Sequence, residues 1–201
     1  AIGTELAYFY HSLGTKVTLI EYMDQLVPTE DADVAAQLGR SFRKAGIQVM
    51  TSTAVKSAEK FAKGCCLEVE TKKGTERVEA DVVLSAVGVV PNTSNMGLEE
   101  AGVGMVRGKI VVDKDFMTTV PGIYAAGDVL STPALAHLAT AEALCCVERM
   151  AGLDVPDVDY GNIPGCIYAT PEIASVGLRE KEAKVKGIEV RIGKFPFTAS
   201  G

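Results

Sequence analysis

The first quarter of the chain alternates between helical and strand patterns. Residues 5–13 have the apolar spacing of an amphipathic helix, and Gly14 is placed to end it. Residues 16–21 (KVTLIE) then form an apolar strand that ends on an acid, and a second helix at residues 29–44 leads into a strand at residues 47–50. Because parallel strands need a crossover connection between them, this alternation predicts an α/β fold with a parallel sheet.

Three short segments of alternating apolar and polar residues follow. They are residues 54–61, 65–71 and 76–79. Lys63-Gly64 and Lys73-Gly74 lie between them as turn signals, so the three segments predict an antiparallel meander. Residues 81–86 (DVVLSA) then return to a continuous apolar run, which predicts one more buried strand.

The second half of the chain predicts further strands, a long helix and a linker. The predicted elements are strands at residues 109–112 and 123–126 and a helix at residues 134–150. Residues 154–165 contain two prolines and are the predicted domain boundary. Beyond them, a short helix at residues 180–186 and a strand at residues 188–197 indicate the start of an α+β unit.

Composition and charge narrow the classes of partner. Of the 201 residues, 47% are hydrophobic and 23% are charged, which is typical of a folded globular protein. The net charge is −6 and the basic residues are scattered among acids, whereas binding to nucleic acid needs clustered Lys and Arg. No apolar run approaches the roughly 20 residues that span a bilayer, and no secretory signal opens the chain. We therefore expect no nucleic acid and no membrane as partner.

The five cysteines indicate a reducing compartment. Four of them form the adjacent pairs Cys65-Cys66 and Cys145-Cys146, a spacing that matches neither a disulfide framework nor a CxxC metal site. Thiols that stay reduced are the expectation, so we predict no metal site and a location in the cytoplasm.

Two glycines and one acid stand at positions that match a dinucleotide site. Gly3 stands where the last glycine of a nucleotide loop allows a helix and a strand to pack closely. Glu21 ends the following strand, at the distance where an acid accepts hydrogen bonds from the adenosine ribose. Gly88, after the strand at residues 81–86, fits either the close approach of a cofactor or a plain turn. Taken singly, these positions are also compatible with ordinary structural roles, a glycine before a helix, an acid after a strand and a plain turn.

The sharpest signal is TTVPGIYAAGDV, residues 118–129. A strand of small residues delivers Asp128 to its carboxyl end, and Gly127 leaves room beside the acid. A carboxylate in that position suits hydrogen bonding to the hydroxyls of a sugar or a ribitol chain.

Six segments together carry a family resemblance. They are AIGTEL, KVTLIE, AVGVVPNT, TTVPGIYAAGDV, ALAHLATAEA and IPGCIYATPEIASVGL, in this order. In order and spacing, along essentially the whole chain, they resemble the FAD-dependent pyridine nucleotide-disulfide oxidoreductases, above all the members that oxidise dihydrolipoyl groups. The resemblance implies a Rossmann-like parallel sheet with an antiparallel meander, followed by the start of an α+β dimerisation domain. It implies an NAD-binding domain at residues 1–88, a central segment of the FAD site at residues 89–155, and the start of the interface domain at residues 156–201.

The resemblance also assigns residues to the NAD site. Gly3 and Glu5 would belong to the nucleotide loop, with Glu5 approaching the contact between flavin and nicotinamide. Glu21 would hold the adenosine ribose. Val55 and Gly88 would line the NAD site.

A second set of residues is assigned to FAD. Asp128 would bind the ribitol region of FAD. The segment that would pass beside the flavin ring consists of Ala134, Leu135, Ala136 and His137. His137 does not correspond to the catalytic base of the family.

The implied reaction passes electrons from a dihydrolipoyl thiol pair through a redox disulfide and FAD to NAD+. No catalytic residue falls within this chain, because the CxxxxC pair of the family would precede it and the histidine–glutamate base would follow Gly201. The strand before Gly3 and the first glycines of the nucleotide loop are absent as well. We therefore expect an internal fragment that is inactive alone, lacks the first strand of its sheet, and binds neither FAD nor NAD at full contact. Val89-Val90 replace residues that are often arginine in relatives, which alters the local charge.

The partners of the parent protein follow from the same resemblance. A homodimer is expected, as are the lipoyl domains of 2-oxoacid dehydrogenase or glycine cleavage complexes. Two alternatives stay open: another FAD-dependent disulfide or metal-ion reductase of the family, and a non-catalytic nucleotide-binding fragment.

The acid at Glu21 predicts the choice of cofactor. A carboxylate accepts ribose hydroxyls and repels a 2′-phosphate, so the full-length protein should prefer NAD to NADP. Loss of such an acceptor costs about 1–3 kcal/mol. Glu21→Arg should therefore raise KM for NADH at least about tenfold and improve the use of NADPH, as steady-state kinetics would show. Equal use of both cofactors by the unaltered protein would contradict the assignment.

Overall fold

The structure is a computed structural model and describes residues 1–197. Its contacts divide the chain into two compact units. The first consists of Ala1–Val87 together with the segment from Pro164 onwards, and the second is Gly88–Ile163. The three-domain division at residues 88 and 155 stays a prediction.

The first unit begins with the expected alternation of helix and strand. Its elements are helix α1 (Ile2–Ser12), strand β1 (Thr18–Ile20), helix α2 (Ala32–Ala45) and strand β2 (Gln48–Met50). Strands β1 and β2 pair in parallel, with Thr18 opposite Gln48 and Ile20 opposite Met50. Gly46 ends helix α2 in the left-handed region (φ 106°), where glycine carries no steric penalty. The α/β prediction for this region is confirmed.

The predicted meander is also confirmed. Strands β3 (Ala54–Phe61), β4 (Gly64–Thr71) and β5 (Gly74–Ala80) form a three-stranded antiparallel sheet in the order β3-β4-β5. The central strand buries Leu67 and Val69, while the outer strands are mostly exposed. A register irregularity between Val55 and Ser57 interrupts the pairing near the start of β3.

One apolar core contains residues from both segments of the first unit, Ala1–Val87 and the segment from Pro164 onwards. Helix α2 contributes Leu38 and Phe42, which are 0% and 1% exposed. The hairpin of β8 (Gly165–Ile167) and β9 (Ile173–Ser175) adds Ile167 and Ile173 to the same cluster. Burial of such side chains stabilises a fold by roughly 1.5–3 kcal/mol each.

A polar network lies beside that core. Glu30 forms an ion pair with Arg179 (Oε2 to Nε, 3.3 Å), and its Oε1 accepts a hydrogen bond from the Ser175 hydroxyl (3.2 Å). Asp31 accepts a hydrogen bond from the backbone N–H of Glu180 at 2.9 Å, at the start of helix α4 (Glu180–Val185). These bonds fix the segment after Pro164 to the region just before helix α2.

The second unit is organised by helix α3 (Ala136–Met150). Before it lie two short strands, β6 (Met105–Val106) and β7 (Lys109–Ile110), which pair antiparallel. Cys145 and Cys146 of α3 are buried against Phe116 and Leu130. All five cysteines are free thiols.

Three predicted strands are wrong as ladder strands within residues 1–197. Residues 81–86 form no strand and pair with no other strand, and residues 188–197 are likewise unpaired. In the segment 123–126, the only sheet-type contact is a single bridge from Tyr124 to Met117. A strand needs a partner for its N–H and C=O groups, and an apolar run alone does not supply one. The predicted helices at 29–44 and 134–150 begin later, at Ala32 and Ala136.

No helix within residues 1–197 has the length and apolar character that a transmembrane span requires.

Candidate functional site

The predicted nucleotide loop begins at the start of helix α1. A Cβ built on Gly3 would lie 3.5 Å from the Ala86 Cβ and 4.0 Å from a Leu19 methyl, so the helix starts close against strand β1 and residue 86. The backbone N–H groups of Thr4 and Glu5 both donate to the Ala1 carbonyl. A Cβ at Gly3 would make only ordinary van der Waals contacts there, and the role of Gly3 in a nucleotide loop stays a prediction.

Glu21 follows strand β1 and is held by three hydrogen bonds. Its N–H donates to the Met50 carbonyl (2.8 Å), and its own carbonyl accepts the N–H of Thr53 (3.0 Å). The carboxylate oxygen Oε1 accepts the N–H of Met23 at 2.7 Å. One carboxylate oxygen is thus fixed by the backbone, and Oε2 is left to accept hydrogen bonds from a ligand.

The other residues predicted for the NAD site lie on separate parts of the chain. Glu5, on α1, accepts the Tyr168 N–H through Oε1 at 2.9 Å. Val55, in strand β3, is 51% exposed. Gly88 is exposed and has φ 124°, a conformation that favours glycine.

The acid predicted to bind FAD lies in a single 3-10 turn, Gly127–Val129. The Asp128 side chain is exposed and forms no hydrogen bond or ion pair within residues 1–197. Gly127 before it is buried, with φ 78°, and a Cβ there would lie 3.0 Å from the Ala139 Cβ of helix α3. The turn is therefore pressed against α3 while its carboxylate faces outward, which fits a ligand rich in hydroxyls.

A buried acid holds that turn from behind. Glu142 of helix α3 is 0% exposed, and its Oε2 accepts the Gly127 N–H at 2.7 Å. Its other oxygen, Oε1, accepts the hydroxyl proton of Tyr160 at 3.0 Å. Burial, together with this hydrogen bond, raises the pKa of Tyr160 to about 12, so the phenol keeps its proton at neutral pH.

The predicted flavin-facing segment leads into helix α3. Leu135 precedes the helix and is half-buried, and Ala134, Ala136 and His137 are exposed. The small exposed side chains of Ala134 and Ala136, at the start of the helix, leave room for a planar ring to approach the backbone. With Asp128 open beside them in sequence, the residues present fit an FAD site.

Three hydrogen bonds were not predicted from the sequence. They join Gly127 to Glu142, Tyr160 to Glu142, and Tyr168 to Glu5. Glu142 could have been found, because it shares the apolar face of α3 with Leu138 and Cys145, four and three residues away. An acid in such a face must have buried donors. The Tyr168 contact joins residues 163 positions apart, and nothing in the sequence signals it.

Comparison with known proteins gives the same order of segments. A family model described as "Pyridine nucleotide-disulphide oxidoreductase" matches residues 1–143, and one described as its dimerisation domain matches residues 163–201. A dihydrolipoyl dehydrogenase of Rhizobium etli is 45% identical over 100% of this chain and 42% of its own length. A mitochondrial dihydrolipoyl dehydrogenase of Pisum sativum is 42% identical over 99% of this chain and 40% of its own. The chain thus spans about two fifths of the length of these relatives.

A solved structure agrees with the fold. The HOCl-induced flavoprotein disulfide reductase RclA of Escherichia coli superimposes with a TM-score of 0.87 and 26% identity. The superposition covers 98% of this chain and 45% of the RclA chain. The predicted fold class is confirmed by this likeness and by the family matches.

Two glycines offer a matched test of the Asp128 turn. Gly127 (φ 78°) and Gly122 (φ 84°) share the left-handed conformation, but a Cβ has nothing within 4 Å at Gly122. Each Gly→Ala change should lower the free energy of unfolding by about 1–2 kcal/mol, because alanine is strained in the left-handed conformation. Gly127→Ala should cost about 1 kcal/mol more, because its methyl meets Ala139. Urea unfolding of both variants measures the difference, and equal losses would show that α3 does not confine the turn.

Proposed function

Because this chain belongs to the pyridine nucleotide-disulphide oxidoreductase family, we propose that it is an internal segment of an FAD-dependent dihydrolipoyl dehydrogenase. The observation that carries the proposal is the likeness, over the whole chain and at 45% identity, to a protein of that name. Overall, a dihydrolipoyl dithiol and NAD+ give the disulfide, NADH and a proton. Two electrons leave the sulfur pair and arrive on the nicotinamide as a hydride.

Of the residues assigned to NAD, all except Gly88 belong to the first unit, and Gly88 is the first residue of the second unit. Glu21 is suited to the adenosine ribose, since its Oε1 is oriented by the Met23 N–H and its Oε2 is left for a ribose hydroxyl. Gly3 is assigned to the nucleotide loop at the start of α1, beside Leu19 of β1 and Ala86. Glu5, held by the Tyr168 N–H, is assigned to the flavin–nicotinamide contact, and Val55 and Gly88 to the walls of the site.

The second unit supplies one wall of the FAD site. FAD, when bound, carries the two electrons between the thiol pair and NAD+. Asp128 would accept hydrogen bonds from the ribitol hydroxyls, because its carboxylate is exposed and unpaired within residues 1–197. Residues 134–137 would lie beside the flavin ring, and the redox disulfide and the catalytic base would come from other parts of the full-length protein.

The partners belong to the full-length enzyme. The match to a dimerisation domain over residues 163–201 supports a homodimer. The lipoyl domains of 2-oxoacid dehydrogenase or glycine cleavage complexes would deliver the dihydrolipoyl group. The cytoplasm stays the predicted location, although two similar proteins, from Pisum sativum and Arabidopsis thaliana, are named as mitochondrial.

A second candidate function is another disulfide reductase of the same family. The likeness to RclA over 98% of this chain favours it, since that protein is named a flavoprotein disulfide reductase. Dihydrolipoyl oxidation is preferred because identity to RclA is 26%, against 45% to the Rhizobium etli protein.

Enzyme assays of the full-length protein distinguish the two candidates. With dihydrolipoamide and NAD+, NADH should form at a rate of about 1 per second or faster, the usual range of enzyme turnover. NADPH with glutathione disulfide should give a rate at least about a hundredfold lower. Activity with NADPH and a different disulfide, but none with dihydrolipoamide, would replace the first candidate by the second.

The flavin assignment of Asp128 has its own test. Asp128→Ala in the full-length protein removes a charge-assisted acceptor worth roughly 1.5–3 kcal/mol, so Kd for FAD should rise about ten- to a hundredfold. Asp154→Ala removes the same charge from another exposed position of the second unit and should leave Kd unchanged. Flavin fluorescence during titration of the apoprotein measures both. Unchanged FAD affinity in Asp128→Ala would refute the assignment.

A further inference from the structure

Glu142 is a fully buried acid that the proposed reaction does not use. It lies in the middle of helix α3 at 0% exposure, on the face that also buries Leu138, Cys145 and Cys146. A carboxylate removed from water is costly unless donors replace the water. The groups that donate hydrogen bonds to a buried carboxylate therefore show which segments of the chain it holds in place.

The two oxygens of Glu142 bind two different segments of the second unit. Oε2 accepts the Gly127 N–H at 2.7 Å, fifteen residues before it in the chain. Oε1 accepts the Tyr160 hydroxyl at 3.0 Å, eighteen residues after it. Tyr160 belongs to the single helical turn Tyr160–Asn162, in the segment that leads to the dimerisation region. The acid thus connects the Asp128 turn to that segment through one side chain.

The geometry makes the turn depend on this acid. Gly127 directly precedes Asp128, and Asp128 itself forms no hydrogen bond or ion pair within the described residues. The position of the Asp128 carboxylate is therefore set by the backbone of its turn. Helix α3 holds that backbone at two points, through contact with Ala139 and through the bond from the Gly127 N–H to Glu142.

We propose that Glu142 is a positioning residue for FAD binding, which acts by fixing the Gly127–Asp128 turn and is itself held by the Tyr160 hydroxyl. The inference rests on the proposed role of Asp128 at the flavin. Its physical basis is pre-organisation: a carboxylate already in its bound position pays no ordering cost when the ligand arrives. Without Glu142, the buried Gly127 N–H loses its acceptor, and the turn must move to find another.

Conservative variants separate positioning from packing. Glu142→Gln keeps the side-chain volume, an oxygen that accepts the Gly127 N–H, and an amide that can donate to the Tyr160 oxygen. Glu142→Ala removes every one of these contacts. Tyr160→Phe removes only the hydroxyl and leaves Oε1 without its donor. Glu148→Gln, at an exposed position of the same helix, is the control.

The experiment is a thermodynamic cycle on FAD affinity in the full-length protein. Each variant is made alone and together with Asp128→Ala, and Kd for FAD is read from flavin fluorescence during titration of the folded apoprotein. Glu142→Ala should raise Kd about tenfold and Tyr160→Phe about threefold, with Glu142→Gln and Glu148→Gln close to the unaltered protein. In the Asp128→Ala background the first two changes should have almost no further effect, because the carboxylate that they position is gone.

Each other outcome overturns a different statement. If Glu142→Ala and Tyr160→Phe weaken FAD binding as much without Asp128 as with it, their effect is general and the positioning role is wrong. If they leave Kd unchanged while Asp128→Ala raises it, Asp128 binds FAD without their help. If Asp128→Ala leaves Kd unchanged, the flavin assignment itself fails and the positioning role falls with it. Should Glu142→Ala not fold, the Tyr160→Phe cycle decides between the same outcomes.

Discussion

Helix α3 is the constraint on which the second unit depends, because it has to satisfy a buried carboxylate and fill an apolar core with one face. Cys145 and Cys146 pack against Phe116 and Leu130. Glu142, one turn earlier, receives the N–H of Gly127. Helix α3 presents apolar side chains and a carboxylate on the same face. Together they confine the Asp128 turn far more narrowly than apolar contacts alone, because hydrogen bonds are directional and a buried unpaired donor is costly.

The first unit is held together by a different mixture of forces. Its core is apolar and combines helix α2 with the hairpin β8–β9, although more than a hundred residues of sequence separate them. Beside that core, the half-buried ion pair of Glu30 and Arg179 fixes the direction in which the hairpin approaches. Apolar burial supplies most of the stability, and the ion pair supplies geometry, because the cost of desolvating two charges offsets most of their attraction.

The two acids assigned to cofactors are presented in different ways. Glu21 already accepts one backbone N–H, so its carboxylate has a fixed orientation before any ligand arrives. Asp128 has no such bond within the described residues, and its backbone alone is fixed, through Gly127. The carboxylate of Glu21 is thus held by a neighbouring residue. The position of the Asp128 carboxylate depends instead on Glu142, which is distant in sequence.

The sequence by itself determined the α/β start, the meander, and the places of Gly3 at the start of α1 and of Glu21 after β1, because glycines, turn signals and apolar periodicity act over a few residues. It did not determine whether residues 81–86 pair as a strand, since pairing needs a neighbour that an apolar run cannot specify. Nor did it show that Glu142 and Tyr160 meet, or that Tyr168 donates to Glu5. Those contacts join residues 18 and 163 positions apart, and only the packing of the chain brings their donors and acceptors within hydrogen-bond distance.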